Sequence, residues 1–357
     1  MPGRRGRHAH RRRHRRARAP DRARRRGDAP RRHHLDGAAD TRHAPDAARR
    51  STSAVTDHDQ ARAWAKRLGR VGTWTSDVER LSAAAARDYV RELERLGLQA
   101  LWIPESLGSK EIFAHAGLLL ASCDRLVIAS GIANIWARDA TAMANGGRTL
   151  VEAYPGRFLL GLGVSHAPIV KMRGASYSKP VENMTRYLEA MDRAPYTGVA
   201  PPRPPDRVLA ALGPRMLRLA AERTIGAHPY FVPVEHTALA RKELGPGPLL
   251  AVEQAAVLST DPSVARTTAR KYMKRYLPYE NYSNNLRRLG WSDADFANDG
   301  SDALVDAIVV WGDAREIRTR VDKHVANGAD HVCVQVLRAD FAAHPLAEWR
   351  ALAPTLL

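Results

Sequence analysis

Gly213, Pro214, Arg215 and Met216 close the apolar run 207–212, and their order carries a chemical possibility. A glycine at a strand end, followed by proline at the favoured first helical position, opens a helix whose amide hydrogens and positive dipole end face outward. With Arg215 adding a full charge, the turn suits phosphate or another anion. An ordinary strand-to-helix turn with a solvated arginine has the same spelling, so these residues alone leave both readings open. Glu105 and Ser106 follow the run 99–104; the carboxylate is a hydrogen-bond acceptor or base, or equally a first-turn acid favouring the next helix. Ser165 and His166 follow the run 157–164, where an imidazole titrating near neutrality serves as a general acid or ring donor, or has no role. His228, between Ala227 and Pro229, reads first as a core histidine and second as a site residue. Trp74, Thr75, Gly131, Ile132, Asn134, Glu253 and Gln254 take corresponding places after or within other runs. Together these aromatic, amide, hydroxyl and titratable groups suit a flat polar ring.

Other chemistries find no support. No His or Cys group has metal-ligand spacing, no G-x-S-x-G occurs and no Walker loop is present, so no metal, hydrolase or phosphotransferase site is expected. Cys123 and Cys333 lie far apart in apolar stretches and read as buried, reduced thiols. No apolar run approaches the roughly 18 residues of a membrane span, and the N-terminal arginines precede no apolar segment of a secretory signal. The expected location is the cytoplasm.

The elements that would position these residues alternate. Apolar runs at 70–75, 99–104, 125–130, 157–164, 207–212, 224–232, 249–259 and 331–337 read as strands. Between them, helical spacing covers about 81–96, 111–122, 138–153, 181–191, 214–223, 235–244, 262–277 and 313–327. A helical insertion at about 282–311 precedes the last unit, and a closing helix is expected at 341–352. Strict alternation at this count implies an α/β fold with a parallel sheet closed into a (β/α)8 TIM barrel, whose chemistry belongs at the C-terminal strand ends. A doubly wound sheet would carry G-x-G-x-x-G after its first strand; none occurs, and Gly161-Leu162-Gly163 within the fourth strand reads as a close-packing device.

Charge is unevenly spread. Of a net +18, residues 1–57 supply +12, from 18 Arg against six Asp. They contain only Met1, Leu35 and Val55 as sizeable apolar residues, so a disordered Arg-rich arm is expected ahead of a barrel domain at 58–357. Such an arm could hold nucleic acid through phosphate contacts, although it lacks aromatic residues for stacking. Its composition also matches read-through of GC-rich DNA, which would put the natural start near Val55.

The blocks 157–168, 208–217 and 226–231, in this order and spacing, resemble the bacterial luciferase-like superfamily, specifically its deazaflavin (coenzyme F420)-dependent oxidoreductases. The resemblance implies a luciferase-like barrel with the deazaflavin in its mouth and hydride transfer to or from a small organic substrate. It further implies a non-prolyl cis peptide between Gly131 and Ile132 behind the ring, and cofactor phosphate at Gly213, Pro214, Arg215 and Met216. Trp74, Ser106, Asn134 and Ser165 would also line the cofactor. His166, then Glu105, are the candidate proton donors. Ser106 and His166 replace residues that sugar-phosphate-oxidising relatives carry, which argues against that reaction. An FMN-dependent monooxygenase of the same superfamily is the alternative, and basic residues available for an anionic tail are Lys171, Arg173, Lys179 and Arg215. Expected partners are a small-molecule substrate and, at most, a second copy of the chain.

Overall fold

The computed structural model describes residues 58–340 and 344–357; the Arg-rich segment 1–57 and its expected start point lie outside the described residues. Eight parallel strands form a closed barrel: β1 (Val71–Trp74), β2 (Ala100–Ile103), β3 (Val127–Ser130), β4 (Phe158–Gly163), β5 (Arg207–Leu209), β6 (Gly226–Ala227), β7 (Leu249–Leu258) and β8 (His331–Val336). Each pairs with the next, and β8 closes the ring on β1 with Val332 opposite Val71. Two short strands are added, Ala133–Asn134 beside β4 and Val309–Gly312 beside the outer half of β7. The alternation is thus the expected one, because each run buries on both faces while each intervening helix has one apolar stripe. The predicted box Asp313/Glu316 caps the helix Ala314–Ala326 at both of its donors.

Four local expectations are corrected. A helix α1 (His58–Leu68) precedes the first strand, burying Ala61, Trp64 and Leu68. Trp64 Nε1 and Gln60 Nε2 donate to Asp206 at 2.8 and 2.7 Å, just ahead of β5, so α1 covers the N-terminal end of the barrel. The sixth strand is shorter than the run 224–232, since Pro229 lacks an amide hydrogen and Phe231 takes a left-handed φ of 59°. The closing helix is Leu346–Leu356, beginning after Pro345. Finally, the segment before the last unit is three short helices, Glu280–Arg288, Asp293–Phe296 and Asp302–Ile308, ending in the strand Val309–Gly312.

The mouth is shaped where β3 meets β4. Ala129 pairs with Leu159 and Ala133 with Leu162, so three residues face two and the chain bulges between them. Gly161 makes this possible: a Cβ there would stand 2.0 Å from the Ser130 carbonyl oxygen. Ser130 Oγ fills the gap instead, donating to Gly161 O at 2.8 Å and accepting from Gly161 N at 2.9 Å. The close-packing reading of Gly161 therefore holds. Gly161→Ala should lower stability by about 1–3 kcal/mol, whereas Gly117→Ala, whose Cβ would meet only Leu150 at 3.5 Å, should add about 0.5–1 kcal/mol as helix interior. Thermal melts of both variants test the contrast, and a neutral Gly161→Ala would show that the two backbones are not held at contact.

Candidate active site

A cavity of about 840 Å³ opens at the C-terminal ends of the strands. Trp74, Glu105, Ser106, Gly131, Ile132, Asn134, Ser165, His166, Gly213, Pro214, Arg215 and Met216 all line it, so the barrel brings these twelve nominated residues to one place. The peptide between Gly131 and Ile132 is cis, within the bulge after β3. Gly163 leaves room for Ile132, whose Cδ1 would lie 2.4 Å from a Cβ on that glycine. Glu253 and Gln254 do not reach the mouth; β7 runs on to Leu258, which places both in mid-strand.

Glu105 is committed. Its side chain is 5% exposed, Arg138 pairs with both carboxylate oxygens, and the Asn134 amide donates to Oε2 at 2.8 Å. The same Arg138 reaches Glu111 Oε1 at 2.9 Å. A carboxylate so engaged fixes the bulge. Ser106 Oγ points elsewhere, donating to Glu79 Oε2 at 3.3 Å, where burial pushes the Glu79 carboxyl up to about 7.

His166 is differently placed. It caps the short helix Ala167–Met172 and stacks face to face on Tyr279, with centroids 4.2 Å apart and planes at 4°. Its Nδ1 lies 2.9 Å from Asn281 Oδ1. Burial holds its pKa below the ordinary imidazole value, partly offset by Asn281, so the ring is neutral near pH 7.

The floor is a column of buried rings. His331 Nδ1 donates to Gly69 O at 2.7 Å and its Nε2 accepts from Trp102 Nε1 at 3.0 Å, an arrangement available only to the neutral ring. Trp102 stacks on His228 at 4.3 Å, and His228 Nδ1 donates to Ala251 O at 2.9 Å. His228 is thus both a core histidine and a cavity residue. Its Nε2 has no hydrogen-bond partner among the described residues and lies 3.1 Å from where a Gly131 Cβ would stand. Burial pulls its pKa down to about 4. Beside this column Glu253 is fully buried, accepts from Phe231 N at 3.0 Å, and is pushed by burial up to about 8.

The opposite wall is cationic. Gly213 begins the helix Pro214–Arg223 with no capping side chain, and the Arg288 Nη2 lies 3.5 Å from a Cβ built on Gly213. Arg288 donates to Asn285 Oδ1, and no carboxylate pairs with it among the described residues. Arg215 and Arg275 also line the cavity, whereas Lys171, Arg173 and Lys179 do not. Arg275 and Arg288 therefore come from a segment that sequence reasoning did not enlist. So do Tyr276, Tyr279, Asn281 and Tyr282; a signal existed, since Tyr272, Tyr276 and Tyr279 recur at helical spacing, but the stripe crosses the boundary between the seventh helix and the insertion.

Residues 67–331 match the family described as luciferase-like monooxygenase, and the chain belongs to that family. A 5,10-methylenetetrahydromethanopterin reductase of Methanolobus tindarius is 21% identical over 285 residues, covering 68% of this chain and 87% of the relative. An F420-dependent secondary alcohol dehydrogenase, solved with an F420-acetone adduct, superposes with a TM-score of 0.64 at 15% identity, over 81% of this chain and 99% of that one. The oxygenating constituent of 3,6-diketocamphane monooxygenase from Pseudomonas putida, in complex with FMN, gives 0.59 at 15% identity, over 81% and 98%. These likenesses establish the luciferase-like barrel. Among the described residues no helix is long and apolar enough to cross a membrane, and no three His, Cys, Asp or Glu side chains converge as a metal site.

The buried Glu253 makes stability depend on pH in a stated direction. Its folded pKa of about 8 exceeds the ordinary 4.5, so its contribution is complete below about 4.5 and is lost as pH rises toward 8. Glu253→Gln keeps an acceptor for the Phe231 amide and removes the ionisation. Between pH 5 and 8.5 the wild-type melting temperature should fall more steeply than that of Glu253→Gln, which becomes the more stable at the alkaline end; parallel profiles would show that Glu253 ionises freely.

Proposed function

We propose that the chain is an oxidoreductase that binds coenzyme F420 in the barrel mouth and exchanges hydride with a small organic substrate. The observation that carries this reading is the Gly213 turn, an uncapped helix start with Arg288 standing over it, and Arg215 and Arg275 lining the same cavity. One phosphate would be served by the turn and one arginine, whereas three arginines suit the longer anionic glutamyl tail of a deazaflavin. The bulge supplies a rigid edge for a flat ring. When bound, the deazaflavin supplies a ring carbon that takes or gives hydride.

The chain's own residues orient, dry and adjust protons. Glu105, held by Arg138, fixes the Asn134 end of the bulge. Trp74 donates through Nε1 to Gly131 O at 3.2 Å and packs on Tyr230 at 5.0 Å, so an aromatic wall excludes water beside the bulge. Of the two histidines that line the mouth among the described residues, His166 is the partly accessible one, and burial keeps its ring neutral near pH 7. The FMN monooxygenase reading rests on the same barrel and the same phosphate turn.

Titration of the full chain with F420 and with FMN, followed by fluorescence, tests the proposal. F420 should bind at micromolar concentration or below and FMN about tenfold more weakly or worse. Binding of neither below high micromolar overturns the reading, and tighter binding of FMN moves it to the monooxygenase. Gly213→Asp puts a negative charge at the uncapped helix start and should weaken F420 by about tenfold or more; Arg288→Gln should weaken it and flatten its salt dependence. Unchanged affinity in Gly213→Asp would dismiss this turn as the phosphate site.

A further inference from the structure

The loop after β4 and the insertion meet across the mouth around His166. His166 lies against Tyr279 on one face, tilts against Tyr282 at 5.2 Å, and places Nδ1 2.9 Å from Asn281 Oδ1. Its Nε2 makes no hydrogen bond among the described residues, yet it is not sealed away as the His228 Nε2 is, so it opens on the cavity that His166 lines. A carboxamide oxygen only accepts, and a neutral imidazole carries one proton. If Oδ1 faces the ring, the proton sits on Nδ1 and the lone pair on Nε2.

We propose that Asn281 is a positioning residue that holds His166 in the Nδ1-protonated form, leaving Nε2 as the acceptor of a hydroxyl proton from an uncharged substrate. This rests on the oxidoreductase reading above. The O–H bond breaks as the N–H bond forms at Nε2, and the electron pair left on oxygen becomes the second carbon–oxygen bond as hydride leaves carbon for the deazaflavin. In the reverse direction the imidazolium returns the proton. The substrate is uncharged because Glu105, the only carboxylate lining the cavity among the described residues, is paired with Arg138, while Arg288 stands over the Gly213 turn.

Few charges reach His166 to compete with this arrangement. Tyr279 and Tyr282 cover it from the insertion, and burial keeps Tyr282 protonated well above the ordinary phenol value. Tyr177, also raised by burial, lines the cavity, while Lys171 on the His166 side does not. Asn281 is thus the polar group that sets the tautomer.

Histidine labelled with nitrogen-15 in the full-length chain reports each ring's tautomer and titration by long-range nitrogen–proton correlation, and His166→Gln identifies the His166 signals by their loss. No cofactor is needed. The wild type should show the proton on Nδ1 and a midpoint below about 6.5. Asn281→Asp, whose carboxylate stabilises the imidazolium, should raise the midpoint by about one unit or more and keep the Nδ1 proton. Asn281→Leu should lower it and release the tautomer, with the other histidine signals unmoved. A wild-type proton on Nε2, or an unchanged tautomer in Asn281→Leu, overturns the proposal. Should the leucine variant disturb the other rings, Asn281→Asp decides alone, an unshifted midpoint overturning it. Failure to bind F420 or FMN would leave these signals as they are and overturn only the cofactor reading.

Discussion

The mouth of this barrel depends on two backbones lying closer than a side chain allows. Where β3 and β4 meet, Gly161 has no Cβ, Ser130 sits against it, and a single hydroxyl bridges both amide and carbonyl of the glycine. Register then passes from Ala129 opposite Leu159 to Ala133 opposite Leu162 with one residue to spare. That spare residue is the bulge. It projects Gly131 and Ile132 into the mouth, and Gly163 accommodates the displaced isoleucine. Glu105 and Arg138 then lock its far end through the Asn134 amide. A side chain at either glycine would push the strands apart and remove the platform.

Below that platform the interior is polar, yet it carries little charge. His331 donates to Gly69 and accepts from Trp102, a pair of roles that exists only in the neutral ring, while His228 stacks on Trp102 and donates to Ala251. Burial reinforces this by pulling His228 and His331 to about 4 and pushing Glu253 to about 8. A low-dielectric interior without fixed charge has a consequence for the mouth: the ionic groups that act there do so with little internal screening. The arginines around Gly213 and the neutral imidazole of His166 therefore set the local field between them.

How much of this was legible follows from how local each signal is. Strand and helix alternation is a property of short windows, so the barrel and its closure emerge from spacing alone, as do the Gly213 turn and the Asp313/Glu316 cap. Helix α1 also had its signal, since Ala61, Trp64, Ala65 and Leu68 recur at helical spacing; its docking partner Asp206 lies 142 residues from Trp64 and no window contains both. The truncated sixth strand turns on a left-handed Phe231, which no propensity favours. Glu253 was placed at the mouth because a strand's end cannot be read to five residues when the apolar run is uninterrupted. The insertion reads as helical, yet which of its faces turns inward depends on how it docks, so the sequence leaves Asn281 and Arg288 hidden.

That docking also explains why sequence-level charge misleads. The largest excess lies in residues 1–57, outside the described structure, while Lys171, Arg173 and Lys179 sit near the right strand end and still miss the cavity. Arg288 is exposed and, among the described residues, hydrogen-bonded to Asn285 alone, ordinary features until Gly213 is found beneath it. A surface arginine contributes little on its own; one set over an uncapped helix start adds to a field already pointing outward, and the missing Cβ lets an anion approach both. Glu105 runs the opposite course, an acid at a strand end whose charge Arg138 cancels. What distinguishes the cationic wall from the neutralised bulge is the partner each charge has, and partners are chosen by the fold.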